Sequence, residues 1–326
     1  MTGEHIGRLL ITAAALAVAA CGGAGTQLAS TPPPPPTPTP TPTPPPGPIP
    51  PAHLGLVSDQ PFAVLAVGTD YKTDATGNPT TIVSGPALQD VHFNYDSATN
   101  TYGVTLPGFN AGTLTIIAYN GGSGEPATSS TSQLREGSFG FLVPAFVTLP
   151  VPGTSHSPLT YTSLGYWNSE TEKLSNGDAL RSDGIFAYGI PTQSGDVPIT
   201  GSATYSASIF GTLGPYSSAQ VEGTASMSFD FAAGTLTGSM HPKVNDDWDG
   251  IFMDFGQYDF TQTVYSSGST TFSGKFIVPG LPNADSSFDG RFNGPQAAEV
   301  MARFVAPYVF EGSEGTISGV WTGKKN

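Results

Sequence analysis

Few side chains in this sequence are suited to chemistry, and most of them are scattered. One polar run stands out, Asn245-Asp246-Asp247-Trp248-Asp249-Gly250. Asn245, Asp247 and Asp249 place oxygen ligands at alternate positions with glycine at the sixth, as a calcium loop begins. The closing glutamate is missing, because Gly256 stands at the twelfth position. The preferred reading is therefore an acidic, hydrated loop between two strands, and no metal is assigned to it. Trp248 lies among these acids. It acts there either as an aromatic anchor for a ligand, a role in which Trp is enriched, or as a cap folded back on the structure beneath. Histidine offers less, since His53, His92, His156 and His241 come one by one. Haem or iron capture asks for clustered His, Tyr, Met, Cys or carboxylate. His92 and His156 are the remaining single-ligand candidates. Tyr161, Tyr166 and Tyr188 alternate with apolar neighbours and read first as core. The sequence has no Gly-x-Ser-x-Gly elbow, no HExxH pair and no P-loop, and so lacks the frames that position a nucleophile, a catalytic zinc or a phosphate. It is read as non-enzymatic, with no cofactor.

One residue has a clear chemical fate. Arg8 precedes an apolar run over residues 9–20, too short to span a bilayer and ending in small residues, as a secretory signal does. Leu16-Ala17-Val18-Ala19-Ala20-Cys21-Gly22 resembles a bacterial lipoprotein lipobox, in which the cysteine is acylated and becomes the new N-terminus. Cys21 is the only cysteine of the chain, so the mature protein has no disulfide and must be held by packing. Several acyl chains on one residue anchor stably where a single chain does not. The tract that follows, residues 31–51, is almost entirely proline and threonine. Proline favours an extended helix of ~3.1 Å per residue, which makes this a spacer of roughly 60 Å. Its alternative reading is a ligand for a proline-binding module.

The elements that would carry a site are β-strands. Only 11% of residues are charged and the net charge is −14, which argues against nucleic acid as a partner. Segments 62–67, 90–95, 101–106, 113–119, 159–167 and 184–190 are short, β-branched or aromatic, and bounded by Gly, Asn, Asp or Pro. From residue 196 the pattern is stricter. Ala203, Tyr205, Ala207 and Ile209 alternate with polar residues, and so do Gly223, Ala225, Met227, Phe229 and Phe231. This period of two marks strands with one buried face. With segments 235–240, 257–264, 270–278, 286–293, 300–306 and 316–322 they make eight strands. Four of these place a glycine between two large apolar residues on one face: Gly238, Gly274, Gly290 and Gly319. Glycine weakens a strand and needs a reason. The interior of an eight-stranded barrel supplies one, since small and large residues must alternate there to fill it. The expectation is all-β: signal peptide 1–20, anchored cysteine and stalk 21–54, a β-rich domain 55–195, and an eight-stranded antiparallel barrel with a filled interior, 196–326. The barrel's polar outer face excludes a lipid-facing one.

The tail carries a resemblance. Phe292-Asn293-Gly294-Pro295-Gln296-Ala297-Ala298-Glu299-Val300, an alternating strand, and Gly315-Thr316-Ile317-Ser318-Gly319-Val320-Trp321-Thr322-Gly323-Lys324-Lys325 resemble the close of the β-barrel domain in the transferrin-binding protein B family. Tyr188-Gly189-Ile190-Pro191-Thr192, Pro198 and Gly201-Ser202-Ala203-Thr204-Tyr205 resemble that family's entry into the barrel. The likeness covers about residues 188–325; over 55–187, where the family carries a handle domain, it is topological. These motifs are turns, a bulge and a closing strand, so they imply architecture and not specificity. The resemblance implies a lipoprotein on the outer surface of a Gram-negative bacterium that captures a solute or protein: haem, an iron source, or a host or environmental protein. A single handle-plus-barrel lobe departs from the two-lobed namesake, and nothing matches its transferrin-contacting loops. The alternative is a structural or adhesive envelope lipoprotein without a small ligand. Binding is expected on the turn-rich segments 119–135, 191–198 and 242–256, because loops vary without disturbing a scaffold.

The anchor has a direct test. Cys21→Ser should move the protein from the detergent phase of a membrane extract into the soluble fraction, and retention in the membrane would identify a different anchor.

Overall fold

The computed structural model describes residues 60–96, 98, 101–106, 114–116, 131–135, 146–150, 159–214, 219–246 and 251–326. In chain order their strands begin with β1 (Gln60–Pro61), β2 (Ala63–Thr73), β3 (Pro79–Gln89), β4 (His92–Asp96), β5 (Thr101–Thr105) and β6 (Leu114–Ile116). Then come β7 (Thr131–Arg135), β8 (Phe146–Pro150), β9 (Thr162–Lys173) and β10 (Ala179–Gly189). The remaining strands are β11 (Ser202–Leu213), β12 (Gln220–Asp230), β13 (Thr235–Asp246), β14 (Ile251–Asp254), β15 (Tyr258–Val264), β16 (Thr271–Ile277), β17 (Ser287–Asn293), β18 (Glu299–Phe310) and β19 (Ser313–Lys325).

Alternation in the sequence becomes alternation in burial. Along β11 and β12 exposed and buried residues take turns, with Tyr205, Ile209, Met227 and Phe229 inside. The antiparallel order β12-β11-β19-β18-β17-β16-β15-β13 closes on itself through β12–β13 pairing, from Val221–Val244 to Asp230–Thr235. This is the expected eight-stranded barrel. Several strands run further than the sequence indicated: β13 passes through Pro242 and β18 through Pro307, and neither proline costs a ladder bond. Pro242 falls where β13 has left β15, last paired at Met240–Tyr258, and has not yet met β14 at Lys243–Asp254. Pro307 lies past the last β17–β18 pair, Ser287–Val305. A proline at such a gap removes no bonded donor.

Three of the four interior glycines are seats for aromatic rings, whereas a Cβ on Gly319 would meet the backbone of Phe210 and Gly211. Across β16–β17, Phe272 faces Gly290 and Phe288 faces Gly274. A Cβ on Gly290 would stand 2.4 Å from the Phe272 ring, and one on Gly274 2.6 Å from that of Phe288. Phe260 covers Gly238 in the same manner, 2.8 Å from where a Cβ would be. Trp321 fills the middle, stacked on Phe260 and Phe304 at centroid distances of 5.5 and 5.8 Å.

Outside the barrel lie two more sheets, of order β1-β4-β5-β6 and β3-β2-β10-β9-β8-β7. The expectation of a polar outer face fails over β18 and β19. There Met301 and Val320 are buried under Val67, Leu164, Ile185 and Ala187 of the six-stranded sheet. The opposite face of that sheet carries rings: Phe93 of β4 meets Tyr188 at 4.6 Å and Phe62 at 5.3 Å. With both faces covered, the end of β10 is buried without a break, which is why 184–190 shows a continuous run and no period of two.

Gly290→Val should cost about 1–3 kcal/mol, the usual penalty for overfilling a packed core, read by urea denaturation of the full chain. Wild-type stability would refute the filled interior.

Candidate functional site

The seam between the six-stranded sheet and the barrel is polar at its rim, and its hydrogen bonds fix how the two lie. Glu299, at the start of β18, is buried, and its two carboxylate oxygens accept the Thr160 and Tyr161 amides at 2.7 and 2.8 Å. Burial raises its pKa despite these bonds. The Asn293 amide donates to the Thr162 hydroxyl at 3.0 Å. Arg303 gives its Nε to Asp289 at 3.0 Å and its Nη1 to the Ala66 and Gln89 carbonyls at 3.2 and 3.1 Å. Of these groups only the Asn293 side-chain oxygen lacks a partner among the described residues, so the seam is structural. Its tyrosines agree with the core reading. Tyr188 lies in the ring cluster, Tyr166 packs against the seam's apolar residues, and the Tyr161 ring covers Gly294, 2.4 Å from where a Cβ would be. The segment 191–198, expected as a recognition loop, is tied down. Thr192 donates its amide to Phe292 and its hydroxyl to Gly294, Asp196 accepts the Gln296 amide at 2.8 Å, and Val197 is buried. Only residues 193–195 of this stretch are exposed.

The segment 242–256 also differs from expectation, and here the difference makes a site. Most of it is strand: β13 runs to Asp246 and β14 returns from Ile251, a hairpin on the far end of the barrel from the seam's 191–198 segment. Lys243 stands opposite Asp254 and so shares its side of the hairpin, and Phe252, two residues from Asp254 on the same strand, lies on that side too. Phe252 is 64% exposed on that face. Around it stand charges held in place. His241 Nε2 lies 2.6 Å from Asp254 Oδ1, which also accepts the Gly256 amide at 2.8 Å. The His241 contact, then that amide, pull the Asp254 carboxyl below its ordinary value. Lys243 reaches Glu222 of β12 at 3.5 Å. Beneath the hairpin, Phe255 is buried against Tyr308 at 4.7 Å and Phe310 at 6.2 Å. An exposed ring with a polar rim, on a hairpin packed from below, has the composition of a binding hot spot.

Phe252 was not singled out in the sequence, although it lies four residues from Trp248. The signal was the alternation of Ile251, Phe252, Met253 and Asp254, obscured by the acidic run before it. Asp247, Trp248 and Asp249 lie outside the described residues, as do Cys21, His53 and His156. Asn245 is a strand residue of β13 and not the first position of a loop. His241, read as solitary, is paired with Asp254. His92 is exposed, with Asp90 at 3.7 Å. Of the segment 119–135, residues 131–135 form β7 and the rest is outside the described residues. Among the described residues no three His, Cys, Asp or Glu side chains are gathered as metal ligands.

No protein-family model and no curated protein matches the chain. Among solved structures it is similar to a transferrin-binding protein B double mutant from Haemophilus parasuis, at 14% identity and TM-score 0.40, over 79% of this chain and 44% of that one. It is similar to isotype 1 transferrin binding protein B from serogroup B Neisseria meningitidis, at 18% identity and TM-score 0.36, over 80% of this chain and 44% of that one. The N-lobe domain of lactoferrin binding protein B of Moraxella bovis matches at 14% identity and TM-score 0.33, over 83% of this chain and 100% of that one. The chain thus spans less than half of the transferrin-binding structures it matches.

The seam yields a prediction with a sign. A carboxyl whose pKa is raised on folding stabilises the fold most below its unfolded value, near 4.5, and that contribution is lost as pH rises through the folded value. Wild-type stability measured against Glu299→Gln should therefore fall as pH rises above about 4.5. A difference that stays level would show that Glu299 is not strained by burial.

Proposed function

We propose that this chain is a lipid-anchored binding protein of the outer surface of a Gram-negative bacterium, non-enzymatic, which captures a solute or protein ligand at the far end of its barrel. The observation that carries this reading is Phe252, exposed on the β13–β14 hairpin amid His241, Lys243 and Asp254. Three further features support it. A barrel filled by Trp321 and its neighbouring rings leaves recognition to its ends. The lipobox-like Cys21 and the proline stalk would hold such an end away from the membrane. The sequence resemblance to the transferrin-binding protein B family implies capture of an iron source, haem or a carrier protein. Phe252 and Trp248 would then act together as aromatic anchors, with the charges of the rim setting orientation.

The test uses the full chain, immobilised, with medium from iron-limited growth and a parallel haem absorbance titration. A retained ligand should bind at least tenfold more weakly to Phe252→Ser while the melting temperature is unchanged, as expected for a hot-spot residue outside the core. Equal binding by that variant would move recognition elsewhere on the chain. Absence of any retained ligand would favour an adhesive or structural role.

A further inference from the structure

A second feature lies at the opposite end of the barrel and does not depend on the hairpin. On the outward face of β16 and β17, Thr271 stands opposite Arg291 and Ser273 opposite Asp289. A groove of about 270 Å³ runs over these residues, bounded by Leu65 of β2 on one side and by Val264 and Tyr265, at the end of β15, on the other. Its charge is unbalanced. Asp289 is engaged by Arg303 at 3.0 Å through both of its oxygens. The Arg291 side chain, half-buried in the same groove, has no carboxylate partner and no hydrogen bond among the described residues, and its Nε is fully buried. Hydroxyl groups gather beside it. Ser266 and Ser273 line the groove, and the buried Tyr265 hydroxyl nears the Gly268 amide without reaching hydrogen-bond geometry. Burial draws the Arg291 pKa below its ordinary value, which reports the same want of a counter-charge.

A guanidinium stays charged in such a setting, and its planar fork matches a carboxylate. The other wall of the groove is apolar. Leu65 lies on the seam's margin, and Val264 is 64% exposed although it is a large aliphatic residue. We propose that this groove binds a small organic carboxylate, its carboxylate on Arg291 with help from the Ser266 and Ser273 hydroxyls, and its apolar body against Leu65 and Val264. Sites of this size are commonly apolar with a few polar groups that orient the ligand. An isolated sulfate or phosphate would use the arginine and leave the apolar wall wet, so the organic anion is the better fit.

Benzoate, benzamide and sulfate serve as probes of the full-length chain, by calorimetric titration and by amide chemical shifts. Benzoate should bind, with shifts confined to residues 264–273 and 289–291. Benzamide, of the same shape without charge, should bind at least tenfold more weakly, and so should benzoate to Arg291→Gln. Should that variant fold poorly, Ser273→Asp sets a negative charge at the groove instead and should abolish benzoate binding. Phe252→Ser should leave benzoate binding unaltered, which separates this site from the hairpin. The proposal is overturned if benzoate does not bind, if benzamide or Arg291→Gln does equally well, or if sulfate binds and benzoate does not.

Discussion

Trp321 stands at the centre of the barrel with no exposed surface, in parallel stacks with Phe260 and Phe304. Eight closed strands enclose a width that side chains can only just fill, so rings of this size fit only where a neighbour gives up its side chain. That is what Gly238, Gly274 and Gly290 provide, each lying under a ring from an adjacent strand. Phe272 and Phe288 exchange places with Gly290 and Gly274 across one pair of strands, an arrangement that also fixes register. A slip of one residue would drive ring into ring and turn the polar face inward. The indole N–H of Trp321 has no acceptor among the described residues. A lone buried donor costs about 1–3 kcal/mol, which the stacked rings around it must offset. The demand for rings at the centre therefore outweighs the demand for polar satisfaction.

The filled interior has consequences at the surface. A barrel filled by Trp321 and the rings around it leaves a ligand its ends and its outer wall. On one side that wall is already used, because Met301 and Val320 bury against the six-stranded sheet. Arg303 makes that contact specific. It reaches across from β18 to two main-chain carbonyls of the sheet while keeping Asp289 as its counter-ion. The same bond leaves Arg291, two residues from Asp289 on β17, without a carboxylate. One ion pair thus both locks the sheet to the barrel and creates the uncompensated charge beside it.

The barrel was legible where pattern is local. Residues 202–209 and 222–231 alternate without a fault, and the recurring glycine between large residues marks the interior from pattern alone. What could not be read depends on partners distant in sequence. β3 carries Pro79, Pro86 and several Ser and Thr residues, with Ile82 and Val83 exposed; it is a strand because β2 pairs with it, not because its own residues demand one. The covered outer wall left one trace, the consecutive Val300, Met301 and Ala302, apolar on both faces where an ordinary barrel strand alternates. Glu299 showed nothing in sequence, since its worth lies in two amides some 139 residues away. The far hairpin was placed correctly and misjudged in form. Pro242 suggested a break in the chain, whereas it marks only a change of partner from β15 to β14.

That form bears on what the hairpin can do. A residue on a loose loop must be ordered when a ligand arrives, at roughly 0.5–1.5 kcal/mol for each side chain immobilised. Phe252 meets less of that cost. Its backbone is fixed by the ladder with Asn245, the hairpin base by the His241–Asp254 contact and the Gly256 amide, and the underside by Phe255 against Tyr308. Phe255 and Tyr308 tie the hairpin to the core that also holds Trp321, while Phe252 is exposed outside that core, so residues of the outward face can change without disturbing the packing that defines the barrel. The rigid rings inside and the ordered face outside are two results of one closure: strands that must pack tightly inward hold their outward residues in fixed positions, and fixed positions are what a selective surface requires.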